Sequence, residues 1–193
     1  MHPVNYNLVL ATAMLEEMEA YLVSSEIFWP LDRQSPAKMP PFPRLTLGGL
    51  WLTLNELTVQ VAEMSSAQAA SCQRIELQME AIRRKWPVGL ERKASQELRS
   101  RLNLWGAYLV DLQERTDTPD HYAGETRYRV MSQHLVELSA QQPEVQSLKA
   151  KMQELDSLLR SFFIPGAFVW DEKLKNIYPP QPYWYLYGLP RKF

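Results

Sequence analysis

Cysteine is nearly absent: Cys72 stands alone in a chain of 193 residues. A lone thiol forms no intramolecular disulfide and leaves no cysteine pair to hold zinc, so a disulfide scaffold and a thiolate metal site are both excluded. That usage fits a reducing compartment, and the expected location is cytoplasmic. Glycine is scarce, at seven residues, and forms neither a Gly-x-x-x-x-Gly-Lys-Ser/Thr loop nor a Gly-x-Gly-x-x-Gly turn. The usual backbone cradles for nucleotide phosphates are therefore missing. No Gly-x-Ser-x-Gly elbow occurs to present a nucleophile. No apolar run approaches the roughly 20 residues of a membrane-spanning helix, since Leu50-Trp51-Leu52 is soon broken by Asn55 and Glu56. The opening MHPVNYNLVL has no basic stretch ahead of an apolar core, and Glu16, Glu17 and Glu19 follow closely. No secretory signal is expected there. The net charge of -1 lacks the positive field of a protein that coats DNA.

What is present is helical periodicity. Five stretches repeat apolar residues at spacings of three and four, the pattern of a helix with one buried face. The first uses Leu8, Ala11, Leu15, Met18 and Leu22 and ends at Ser24-Ser25. The second runs from Leu47 through Leu50, Leu54, Leu57, Val61 and Met64, and continues in phase through Cys72, Ile75, Met79, Ile82 and Trp86. It reads as one helix of nearly forty residues, stopped by Pro87 and Gly89. The third uses Leu90, Ala94, Leu98, Leu102, Trp105, Leu109 and Leu112. Thr118-Pro119-Asp120 has the form of an N-cap, a first-turn proline and an early acid, opening a fourth helix through Tyr128, Met131, Leu135 and Leu138. Gln142-Pro143-Glu144 repeats the signal ahead of Val145, Leu148, Met152, Leu155, Leu159 and Phe162. Short links favour antiparallel neighbours, so the expected fold is all-α: one domain over residues 1–193, a bundle of about five helices.

Two segments fall outside this pattern. Residues 30–45 hold five prolines and read as an irregular connection after the first helix. Residues 163–193 form a proline-rich tail, and the stretch from Phe162 onward carries ten of the twenty-one aromatic rings. A disordered tail would be poor in rings, so the expectation is a segment wrapped on the bundle.

Charge is uneven along the chain. Residues 1–63 hold seven acids and three bases, whereas residues 64–110 hold eight bases and four acids. Arg83, Arg84, Lys85, Trp86, Arg92, Lys93, Arg99 and Arg101 gather around the turn between the second and third helices, a candidate surface for an acidic protein or for nucleic acid. The competing reading is cations closing a helix against its dipole. A second candidate surface is the tail, through Tyr183, Trp184, Tyr185 and Tyr187, ring types enriched at binding hot spots. Metal candidates are weak. Asp117, Asp120, His121 and Glu125 cluster at a helix start, and His134 with Glu137 forms one His-x-x-Glu pair where a di-metal bundle needs the motif twice. Cys72 lies on an apolar stripe and reads as a small buried hydrophobe.

These residues provide no convergent acid, base, nucleophile and cofactor set. The sequence therefore points to a non-enzymatic interaction or scaffold protein, working through a helical face, the basic turn or the tail. Its partner is then another protein, and no cofactor is implied. The alternatives are a small-ligand or metal-dependent enzyme with a pocket between helices, and nucleic-acid binding through residues 83–101. The long stripes serve an intramolecular bundle and a homodimer equally well.

Overall fold

Apolar stripes become helices wherever a capping group lets them start. The computed structural model describes residues 1–114 and 121–191, and these are mostly helical with one small sheet. The elements are α1 (Val4–Glu16), α2 (Met18–Val23), α3 (Leu47–Gln60), α4 (Ser66–Lys85), α5 (Pro87–Glu114), α6 (Tyr122–Leu138), α7 (Val145–Arg160), β1 (Phe163–Phe168), α8 (Pro180–Tyr183) and β2 (Tyr187–Pro190). The all-α expectation holds at that level, while two of the five expected helices are divided and the tail holds a two-stranded sheet.

Both divisions coincide with hydrogen bonds from polar side chains. The first stripe breaks at Glu17, whose carboxylate accepts from the Trp29 indole N–H at 2.7 Å and from the backbone N–H of Asp32 at 2.9 Å. The second stripe breaks at Val61–Ser65, because Ser65 and Gln68 form a reciprocal capping box. Gln68 N–H donates to the Ser65 hydroxyl at 3.3 Å, and Ser65 N–H donates to the Gln68 side-chain oxygen at 2.8 Å. Two first-turn donors are satisfied this way, so a new helix starts where the apolar phase alone runs straight through. The fourth helix begins at Tyr122, and its expected cap at Thr118-Pro119-Asp120 lies outside the described residues.

By internal contacts the chain divides into two units, Met1–Glu97 and Leu98–Phe193. In the first, α1 lies against both α3 and α4. It is buried on nearly every side, with Ala11, Ala13 and Met14 fully enclosed, as expected of a central helix. Asn7, also buried, donates to Glu56 at 3.0 Å and to Gln60 at 3.2 Å. The α3 N-terminus is capped by the Thr46 hydroxyl, accepting from Gly49 N–H at 3.0 Å, and by the buried Glu97 carboxylate, accepting from Gly48 N–H at 3.1 Å. These groups meet the exposed amides of a first turn. Helix α4 buries only Cys72, Ile75, Met79 and Ile82. The proline-rich connection is held at its ends by a bridge in which Trp29 and Leu45 exchange hydrogen bonds of 3.1 and 2.8 Å.

In the second unit, α6 buries Tyr122, Thr126, Arg129 and Val130, and α7 buries Val145, Leu148, Met152 and Leu159. Strands β1 and β2 pair antiparallel, with Pro165 opposite Gly188 and an irregularity between Pro165 and Phe168. Gly188 has φ +147, and a Cβ there would lie 2.2 Å from the Ile164 carbonyl oxygen, so only glycine fits. No helix among the described residues is long and apolar enough to cross a membrane.

Candidate functional site

Most residues of the basic turn are drawn into local structure. In the first unit Lys85 Nζ lies 2.8 Å from a Glu19 carboxylate oxygen, a bond that holds the Glu19 carboxyl below its ordinary pKa. Arg92 donates to the Leu22 carbonyl. Lys93 is fully buried, donating to the Ser24 hydroxyl at 3.1 Å and the Glu26 carbonyl at 2.5 Å, with its ammonium 4.3 Å from the centre of the Tyr21 ring. Burial, then the neighbouring Arg92, pushes its pKa down. Arg92 and Lys93 thus close the C-terminal end of α2, where unpaired carbonyls favour cations. Arg83 stacks over Trp51 at 5.2 Å, Trp86 is half-buried, and Arg84 is exposed. In the second unit Arg99 pairs with Glu144 at 2.5 Å, and Arg101 is buried over Tyr128 at 5.7 Å.

The tail rings behave similarly. Tyr183 and Tyr185 are buried, Tyr187 is half-buried with its hydroxyl donating to the Tyr178 carbonyl at 2.8 Å, and half-buried Trp184 lies under Arg160 at 3.7 Å. Tyr122 donates to the Tyr185 carbonyl at 2.6 Å, and the Trp170 indole donates to Ala123 and Thr126 of α6. Arg129 meets Asp156 through two bonds of 2.7 Å and faces the Tyr185 ring at 4.8 Å. Burial raises the pKa of Tyr183 to about 12 and that of Tyr185 further.

Asp117 and Asp120 lie outside the described residues. His121 is exposed at the start of α6 and Glu125 is half-buried one turn later. His134 packs between Tyr178 and Tyr183, at 6.5 and 6.2 Å between ring centres, while exposed Glu137 accepts from Gln133 at 3.3 Å. Among the described residues no group of three His, Cys, Asp or Glu is placed to hold a metal ion.

Another surface of the first unit combines apolar residues with exposed acids. A groove of about 470 Å³ runs between α3 and α4. Its floor is Leu57, Cys72 and Met79, all buried, with Leu54 and Thr58 on the α3 side. Burial, with Glu76 nearby, raises the Cys72 pKa and keeps the thiol protonated. On the α4 rim stand Gln73, Glu76, Leu77 and Glu80, with Arg83 at one end. Leu77 is 64% exposed. Neither Glu76 nor Glu80 has an ion-pair partner among the described residues. The sequence carried a sign of this: Leu77 falls two residues after Ile75 and two before Met79, about 200° around α4 from the buried stripe. An apolar residue out of phase and bracketed by acids is the signal that the stripe reading passed over.

No family model, no curated protein and no solved structure matches this chain.

Proposed function

We propose that the protein is a non-enzymatic binding protein that engages another protein through the groove between α3 and α4. The observation that carries the reading is the cleft itself, with the exposed Leu77 on its rim beside Glu76 and Glu80, which have no ion-pair partner among the described residues. Apolar surface rimmed by polar groups marks interaction sites, and most of the cations and rings first considered for that role are engaged in contacts within the fold. The reading keeps the expectations of a cytoplasmic protein without a cofactor, in a single helical domain.

A photo-crosslinking amino acid at position 77 tests it, with position 78 as control because exposed Gln78 lies on α4 outside the groove. The expected result, in cells of the source organism, is a discrete protein adduct from position 77 that is absent from position 78. No adduct from 77, or equal adducts from both, overturns the reading.

A further inference from the structure

We infer that the β1–β2 sheet of the second unit is a docking face for an anionic lipid surface, its exposed aliphatic side chains entering the headgroup region and its arginines meeting the phosphates. From Phe163 to Trp170 no residue has a charged, amide or hydroxyl side chain, and the four middle residues, Ile164 to Ala167, are all exposed. An exposed apolar run of that length is out of place on a water-facing surface unless it is used. Leu189 of β2 stands directly opposite Ile164. Partners across a ladder project from the same side of the sheet, so these two side chains, 50% and 49% exposed, form one patch. Gly188 and Pro190 on either side of Leu189 are buried, so β2 turns its other face inward.

Charge, strand edges and size select the occupant. Exposed Arg191 lies two residues beyond Leu189 on the same face, and exposed Arg160 lies over the ring of Trp184, which packs edge-on against Phe163 at 5.1 Å. No Asp or Glu occurs in residues 157–170 or 176–191, so the strands and their flanks carry one sign of charge, the sign that anionic headgroups attract. Half-buried Trp184 and Tyr187 are of the ring types that settle at headgroup level. Strand addition by a second copy or another protein is hindered at both edges. The Arg191 N–H donates to the Phe162 carbonyl at 2.6 Å, which sets the phase of the ladder: pairs 162/191 and 164/189 bond inward, and Pro165 and Pro190 take positions whose backbone faces outward. Each outer edge thereby loses a donor. The patch is also well short of the roughly 800 Å² per partner of a standard protein interface, whereas shallow lipid docking needs only a small apolar surface about 5–10 Å deep beside cations.

The test is co-sedimentation of the full chain with vesicles of phosphatidylcholine alone and of phosphatidylcholine with about 30% phosphatidylserine. Binding should require the anionic lipid and weaken as salt rises. Arg191→Glu should lower the affinity at least about fivefold, the worth of one cation near such a surface, and Ile164→Ser/Leu189→Ser should lower it about tenfold or more. All three side chains are exposed, so these variants fold, as circular dichroism would verify. Cys72 is the only thiol, so a Cys72→Ala background allows an environment-sensitive dye to be placed at Leu189→Cys. Its emission should shift to the blue on the mixed vesicles, whereas the same dye at Gln153→Cys, exposed on α7, should not respond. No sedimentation with mixed vesicles, equal sedimentation with both compositions, or binding that neither variant weakens overturns the inference. It is equally overturned by a dimer that Ile164→Ser/Leu189→Ser dissolves, or by binding of polyglutamate in place of vesicles, results that assign the face to a second copy or to an acidic protein.

Discussion

His134 offers the sharpest quantitative test of the second unit. The imidazole is packed between Tyr178 and Tyr183, and burial lowers its pKa from 6.5 to about 4. In the fold it stays neutral until the pH approaches 4, whereas the unfolded chain takes up that proton near 6.5. Between those values the unfolded state binds more protons, so stability falls as pH falls. The full separation corresponds to a ceiling of about 3 kcal/mol, and partial exposure of the ring reduces the expected effect to about 1 to 2 kcal/mol. The perturbation is His134→Leu, and the assay is urea unfolding followed by tryptophan fluorescence at pH 7.5 and pH 4.5. Titration of carboxylates is shared by both proteins and cancels in the difference. The wild type should lose about 1 to 2 kcal/mol more than the variant on acidification. Parallel losses would refute the claim that the fold holds this imidazole neutral.

Two tyrosines on the tail contact should respond differently. Tyr122→Phe removes a buried donor from the Tyr185 carbonyl and should cost about 1 to 2 kcal/mol, whereas Tyr185→Phe deletes a buried hydroxyl without a partner and should be neutral or stabilising; thermal melts of both variants decide it. Asp156→Ala strands the buried Arg129 guanidinium and should destabilise by about 3 kcal/mol, with Arg129→Met/Asp156→Leu recovering most of the loss. Gly188→Ala should disrupt the β1–β2 pairing, since the new Cβ meets the Ile164 carbonyl and the Phe163 ring, and hydrogen exchange should report faster exchange in both strands.

Helix class was legible because burial follows phase: Leu90, Ala94, Leu98, Leu102, Trp105 and Leu109 are all buried on α5, as their spacing implies. Helix boundaries were less so. Continuous apolar phase across Val61 and Met64 concealed a break set by two polar side chains, Ser65 and Gln68, whose capping bonds do not register in hydrophobic periodicity. The break after Glu16 is still harder to foresee, because its partners Trp29 and Asp32 come from another segment. Charge clustering in sequence failed to separate free cations from engaged ones for a related reason. Lys93 and Arg92 turn toward carbonyls of α2 and the residues following it, roughly seventy positions away along the chain, a relation that exists only after folding. The groove was overlooked because its signal is one residue, Leu77, on the wrong side of a regular stripe.

The Trp29–Leu45 bridge closes residues 30–44 into a loop, which Asp32 and Pro41 tie further to Glu17 and Tyr6 on either side of its exposed tip. Ring closure depends only logarithmically on length, and doubling such a loop costs about 0.6 kcal/mol. Lys38 at its exposed tip already adopts φ +67, a geometry that glycine or asparagine accepts at lower cost. The least regular stretch of the first unit is therefore its most editable one. An epitope, a fluorophore or a protease site spliced in at Lys38 should leave the helices in register, and a chain cut there should keep its halves clasped.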